Sequence, residues 1–203
     1  MSAGFSAKLV PVKEAELIRD EIMKNMPAYV RARVSSCMRK EKAFQIAAAD
    51  YYMRKMAAEE GLGEAELLRI MHESSGKPYI AMNGKRIDKC ISVSHSDGYI
   101  FLCMADDPIG CDVERIRVLP VNDGLKGFFS EADMAAIKAA ERPEEMLTRI
   151  WTRREAFAKL TGIMEGLKKW SFCDKAAIRQ EMSIVFTEGR ERDYLFTAAR
   201  RQA

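Results

Sequence analysis

Histidine is scarce in this 203-residue chain. There are only two, His72 and His95, so a histidine-rich zinc site is excluded. The five cysteines, Cys37, Cys90, Cys103, Cys111 and Cys173, form no C-x-x-C pair. That removes zinc knuckles and thioredoxin-type sites and leaves reduced thiols that act as small hydrophobes. No apolar run approaches the roughly 18 residues of a membrane span. Met1 to Val12 lacks the apolar stretch of a secretory signal, so a cytoplasmic protein is expected. Charge of one sign is also lacking in excess: 33 Lys and Arg stand against 30 Asp and Glu, a net charge of +3. That is too little to mark a nucleic-acid binder. Glycine-rich phosphate loops are missing as well. Gly76-Lys77 runs into Pro78, Met71 sits where a Walker loop needs glycine, and no dinucleotide fingerprint follows a strand.

What remains is 48% apolar and 31% charged, the balance of an ordinary globular protein able to build one core or two small ones. The thirteen methionines read as core filler. Residues 13–26 predict a helix ending at Pro27, followed by a basic stretch at 29–42. Phe44, Ala48, Tyr51, Tyr52 and Met56 make one apolar stripe on a helix from about 41 to 60, closed by Gly61-Leu62-Gly63. A short helix is expected at 64–72 and a loop at 74–78. Short strands are expected at 79–82, 90–96, 99–105 and 109–114, with a hairpin turn at Ser96-Asp97-Gly98. Helices follow at 130–141, capped by Ser130, and at 144–161, stopped by Gly162. Two last strands, near 182–187 and 193–198, are parted by a turn at Glu188-Gly189-Arg190. Helices then strands, twice over, predict an α+β protein of two similar halves meeting near residue 106.

Asp112 and Glu114 are two apart on a strand and so share a face. Carboxylates that close repel unless a cation or a basic side chain lies between them, and an oxygen-only donor set suits Mg²⁺. A solvated strand face is the plainer alternative. On a helix of about 3.6 residues per turn, Thr148, Thr152, Glu155 and Lys159 form a narrow polar arc. Glu155 and Lys159 could then be a simple surface ion pair. Ser94 and His95 are strand neighbours that point to opposite faces, which argues against a serine-hydrolase pairing. His95 could sit in a core with Ile91 and Val93, and His72 has no partner suggested.

The ordered set of motifs is more specific than any one of them. Gly76-Lys77-Pro78 is followed by Ser92-Val93-Ser94-His95-Ser96, Pro108-Ile109-Gly110-Cys111-Asp112-Val113-Glu114 and Phe128-Phe129-Ser130-Glu131. Trp151-Thr152-x-x-Glu155-Ala156-x-x-Lys159-x-x-Gly162 comes last. Over about residues 76–166 this resembles the 4′-phosphopantetheinyl transferase superfamily, in its surfactin-synthetase-activating (Sfp-type) branch. The first 75 and last 37 residues share only the general layout.

The resemblance implies a pseudo-dimer of α+β halves, 1–106 and 107–203, with the active site in the cleft between them. It implies transfer of the phosphopantetheine arm of coenzyme A to a serine of an apo acyl or peptidyl carrier protein, releasing adenosine 3′,5′-bisphosphate. Asp112, Glu114 and Glu155 would hold Mg²⁺, and Glu155 would also be the base for the carrier serine. Lys159 would contact the pyrophosphate, Ser94 and His95 phosphate, and Gly76 with Lys77 the adenine side. Many relatives carry an arginine for the 3′-phosphate where Gln45 stands here, so either Arg31, Arg33, Arg39 or Lys40 would compensate, with Arg31 and Arg39 taken as candidates, or the 3′-phosphate would be held less tightly. The segment from Arg115 to Phe129, with Leu119, Val121, Leu125 and Phe128, would meet the carrier. Neither nucleic acid nor membrane is an expected partner, and the length favours a monomer. Two other readings stay open: a metal-dependent phosphohydrolase or nuclease, and a non-catalytic coenzyme A-binding scaffold.

Overall fold

The computed structural model describes residues 5–117 and 127–202. The chain divides into two compact units, Met1–Asp106 and Asp107–Ala203, and each is an α+β unit with its own antiparallel sheet.

The first unit opens on strand β1 (Phe5–Pro11), then helices α1 (Val12–Leu17), α2 (Arg19–Lys24), α3 (Ala28–Ser35) and α4 (Lys40–Glu59). Strands β2 (Leu68–His72), β3 (Pro78–Met82), β4 (Lys85–Ser96) and β5 (Tyr99–Ala105) follow, and the sheet order is β1-β5-β4-β3-β2. The expected stripe on α4 is the core: Phe44, Ala48, Tyr51 and Met56 are buried with Ile22, Leu68, Ile80, Ile91, Ile100 and Leu102. Burying such a row removes apolar side chains from water, each worth about 1.5–3 kcal/mol if large.

The second unit runs β6 (Ile109–Arg115), α5 (Glu131–Ala139), α6 (Pro143–Thr161), α7 (Lys175–Met182), β7 (Ile184–Glu191) and β8 (Tyr194–Arg201), with a 3₁₀ turn at Leu167–Lys169. Its sheet order is β6-β8-β7. Ser130 caps α5, its hydroxyl accepting from the Asp133 amide at 3.1 Å. Gly162 ends α6 at φ +76°, a left-handed conformation that favours glycine. Phe157 meets Trp170 at a tilt and Phe172 edge-on in the core, with ring centroids 4.9 and 5.3 Å away.

Three local expectations need correction. The stretch at 64–72 is not a helix. Its end is strand β2, where Leu68 and Ile70 alternate inward and pair with Met82 and Ile80 of β3, so sheet pairing overrides a helical composition. Residues 13–26 are two short helices that meet at Ile18, preceded by strand β1, which was not expected. Finally, Glu188-Gly189-Arg190 is not the turn. It lies inside β7, and the chain reverses at Arg192-Asp193, with Arg192 at φ +55°. Gly189 makes room instead, because a Cβ there would lie 2.2 Å from the Phe196 ring.

Candidate active site

In the second unit, β6 and α6 pack face to face. The reason is Gly110. A Cβ at this position would stand 2.1 Å from the carbonyl oxygen of Ala156 and 2.5 Å from the amide nitrogen of Leu160. Those are backbone atoms, so a side chain here would push the helix off the strand. Since strand side chains alternate, Asp112 and Glu114 lie on the same face as Gly110 and also turn toward α6.

The helix meets them with its polar arc. Lys159 Nζ donates to Asp112 Oδ1 at 2.8 Å and to the Cys111 carbonyl at 3.0 Å. Glu114 borders a cavity with Thr148 and Trp151. The Thr152 and Thr197 hydroxyls, both fully buried, share a hydrogen bond of 2.9 Å, and Thr197 is the β8 partner of Asp112. The arc therefore faces the sheet, and Asp112, at 4% exposure, is no solvated strand acid. Lys159 pairs with the strand acid across the packing interface, which sets aside the reading of a simple surface pair along the helix.

The charges are coupled. Burial and the nearby Asp112 carboxylate push the Glu155 carboxyl above the usual glutamate range, while Lys159 and Arg154 pull it back in part. Burial works against the Lys159 ammonium, but Asp112, the Cys111 group and Glu155 more than offset it, so Lys159 is held above its usual value. Among the described residues no three His, Cys, Asp or Glu side chains gather as a ready metal site. The donor set itself, carboxylate oxygens beside an ammonium, suits a hard cation such as Mg²⁺.

The next residue on α6 plays a different part. Arg153 is buried, and its guanidinium donates to both Glu188 oxygens at 2.9 and 3.1 Å and to the Phe172 carbonyl at 2.8 Å. This ties α6 to β7 away from the acids. Sequence reasoning passed over it as an unassigned motif position, and its partly buried partner, 35 residues away, could not be read locally.

In the first unit, a cavity of about 180 Å³ is lined by Gly76 and His95 together with Tyr29, Arg33, Asp50 and His72. Its walls are apolar (Val30, Ile46, Ala49, Ile70, Pro78 and Val93). Of the basic candidates, Arg33 reaches this cavity, and Arg31 and Arg39 are not among its lining residues. Arg31 instead donates to the Met26 carbonyl at 3.2 Å, and Arg39 stands at the N-terminus of α4. Arg33 Nη1 also bonds His72 Nε2 at 2.8 Å, giving His72 the partner the sequence did not suggest. Beneath the cavity, Asp50 accepts from the Tyr29 hydroxyl and from Arg54 Nε at 2.7 Å. Lys77 and Ser94 do not line the cavity, although Ser94 is buried on the strand that carries His95.

Gln45 has a different use from the one its position suggested. Its side-chain amide donates to the Asp97 carbonyl at 2.7 Å, at the tip of the β4–β5 hairpin. Asp97 holds φ +34°, and the neighbouring Gly98 carbonyl accepts from the Val12 amide at 2.8 Å. The turn just beyond His95 is thus held from two sides. Of the segment expected to meet a carrier, Leu119, Val121 and Leu125 lie outside the described residues. Phe128 is described, half exposed, with its ring 6.3 Å from that of Trp151.

Residues 108–202 match the family model of the 4′-phosphopantetheinyl transferase superfamily. A 4′-phosphopantetheinyl transferase of Bacillus subtilis is 27% identical over 181 residues, covering 88% of this chain and 79% of the relative. The 4′-phosphopantetheinyl transferase Sfp of Bacillus subtilis strain 168 is 23% identical over 160 residues, covering 78% and 70%. The transferase AcpT of Salmonella typhimurium is 41% identical over 101 residues, covering 47% of this chain and 50% of that relative. The matched stretch contains β6 and α6 whole, and the longer alignments carry the likeness into the first unit. With the acids, the lysine and the glycine that packs them in place, residues 108–202 are similar to the 4′-phosphopantetheinyl transferase superfamily.

Proposed function

We propose that this protein transfers the 4′-phosphopantetheine arm of coenzyme A to a serine hydroxyl of an apo acyl or peptidyl carrier protein, releasing adenosine 3′,5′-bisphosphate. The observation that carries the reading is the Lys159–Asp112 contact, which sets Glu155 and Lys159 of α6 beside the β6 acids. In the reaction the serine oxygen attacks the phosphorus that bears the pantetheine arm. A new P–O bond forms, the bond to the bridging oxygen breaks, and the nucleotide leaves with that oxygen. The serine proton goes to Glu155, the general base. Lys159 offers donors to the pyrophosphate as charge shifts to the leaving group. Asp112, Glu114 and Glu155 would hold Mg²⁺, which supplies charge neutralisation at the pyrophosphate. In the first unit, the cavity beside Gly76 and His95 suits the nucleotide end of coenzyme A. Its apolar walls suit a base, and Arg33 and His95 suit phosphate.

Intact-mass spectrometry of an apo carrier incubated with the protein, coenzyme A and Mg²⁺ tests this directly. The carrier should gain the mass of one phosphopantetheine. Glu155→Ala should slow the gain by about 10²–10⁴-fold with an unchanged fold by circular dichroism. Full turnover by that variant would remove Glu155 from its role. Coenzyme A hydrolysis without carrier would favour the phosphohydrolase, and binding without turnover the scaffold.

A further inference from the structure

Arg33 meets an imidazole where a carboxylate would be the ordinary partner. Tyr29, Val30 and Arg33, spaced i, i+1 and i+4, turn one face of α3 to the cavity of about 180 Å³. His72 closes β2. Leu68 and Ile70 of that strand turn into the helical core, so alternation aims His72 the same way, and its Nε2 meets Arg33 Nη1 at 2.8 Å. Among the described residues no carboxylate pairs with Arg33. The acid next to His72 and the acid lining the cavity are used elsewhere. Glu73 accepts from Arg86 at 2.7 Å, and Asp50 accepts from Tyr29 and Arg54.

An imidazole nitrogen accepts a hydrogen bond only when it carries no proton. Burial and the charge of Arg33 both hold the His72 imidazole below its usual value, which keeps the ring neutral. The neutral partner has a consequence. A carboxylate would hold the guanidinium but cancel its charge, and an anionic ligand would have to displace it. Neutral His72 holds the guanidinium and leaves the charge whole. The bond comes from Nη1 alone, so the rest of the planar fork stays open to a phosphate. A loose arginine would lose its rotamer freedom at the moment of binding, and one already held loses less.

We infer that His72 is a positioning residue that fixes Arg33 beside the cavity with its charge uncancelled, so that the cavity prefers a phosphorylated ligand to the same nucleotide lacking that phosphate. The inference rests on the transferase reading, which puts the nucleotide end of coenzyme A in this cavity. His72 acts through Arg33 and takes no part in the chemical step.

The test titrates His72→Gln, His72→Ala and His72→Glu calorimetrically with adenosine 3′,5′-bisphosphate. Glutamine offers an uncharged acceptor near the place of Nε2 and should keep the Kd within about twofold. Alanine should weaken binding by about three- to tenfold, the effect of ordering a loose side chain. Glutamate holds the arginine most firmly, yet it should weaken binding most, by at least about tenfold, because it cancels the charge the phosphate needs. The gap between glutamate and glutamine should narrow as salt rises. A merely structural contact would leave glutamate as good as glutamine, and that result overturns the inference. So do equal affinities in all three variants, or the same losses in an Arg33→Gln background, where His72 should no longer matter. In the transfer assay the losses should appear in the KM for coenzyme A, not in kcat, and should vanish with 3′-dephospho-coenzyme A. Nucleotide binding in the expected order by a parent that modifies no carrier keeps His72 in its role and sinks the reaction. Transfer by the parent with an affinity indifferent to His72 does the reverse.

Discussion

The two units share a framework and use it differently. In each, the first strand pairs with the last and the last with the one before it, giving β1-β5-β4 and β6-β8-β7. Tyr99 and Tyr194 open the last strands and pair with Pro11 and Arg115. Counted back from those pairs, Asp112 matches Lys8, Glu114 matches Val10 and Gly110 matches Ser6. In the second unit the long helix α6 packs directly on the first strand, whereas in the first unit α4 packs chiefly on β2 and β5. In the first unit Val10 joins the core with α4, and Lys8 sits 5.6 Å from the Tyr52 ring centroid. In the second unit the matching positions hold the acids that meet Lys159. Identical backbone pairing therefore serves packing in one unit and a charged site in the other. A handful of side chains makes that difference, beginning with the glycine that lets the helix come down on the strand.

The sharpest way to break this comparison is to place an alanine on both strands at the same register. Gly110→Ala forces a methyl into the backbone of α6, and we expect a loss of at least about 2 kcal/mol, read as a lowered denaturation midpoint. Ser6→Ala removes only a 3.5 Å bond to the Met104 carbonyl and should stay within about 0.5 kcal/mol. Equal effects would mean that the glycine does not set the strand–helix distance.

The buried Arg–carboxylate pairs of the two units give a second contrast, in sign. Burial raises the Glu188 carboxyl, but its bonds to Arg153 and Lys175 outweigh that and leave it below the usual range. A depressed carboxyl adds stability above the unfolded value of about 4.3, and the gain is lost as pH falls through the folded value. Glu188→Gln should cost about 2–4 kcal/mol at neutral pH, and the deficit should shrink as acid protonates the parent. For Asp50 in the first unit burial wins, and the carboxyl is raised. Its native state binds protons more readily than the unfolded chain, so that contribution grows as pH falls through the raised value. Urea midpoints of Glu188→Gln and Asp50→Asn across pH 3–7 should therefore diverge from the parent with opposite slopes.

What the sequence reveals follows from distance along the chain. The stripe on α4, the Ser130 cap and the Gly162 stop are local patterns, and the structure has them where expected. The shared face of Asp112 and Glu114 is equally local, a consequence of strand alternation. Whether the polar arc of α6 faced water or the sheet was not legible, because the deciding contact joins Lys159 to a residue 47 positions away. Gly110 could be read as a motif letter but not as the close-approach point, since only packing shows what a Cβ would strike. Arg33 could not be told from Arg31 or Arg39 because all three lie in one basic run. The turn of α3 sets Arg33 rather than Arg31 toward the cavity, and Arg39 lies beyond that helix, at the start of α4.

The smallest expected effect concerns Gln45, which relates to the first unit's hairpin much as Lys159 relates to the second unit's strand. Each is a helix side chain that reaches across to the sheet, but Lys159 carries charge to the middle of β6, a proposed reacting site, and Gln45 only fastens a turn. Gln45→Ala should cost about 1 kcal/mol, the ordinary value of one partly buried hydrogen bond. It should also speed amide hydrogen exchange at Gly98 and Tyr99 while leaving the α4 core protected. The KM for coenzyme A should rise a few-fold, because His95 lies two residues before Asp97, with kcat preserved. Gln45→Arg separates fastening from ligand contact. If the position only fastens the turn, the arginine repeats the loss and favours coenzyme A over its 3′-dephospho form no more than the parent does. If the arginine instead improves discrimination for the 3′-phosphate, the position faces the ligand, and the hydrogen bond to Asp97 is incidental to binding.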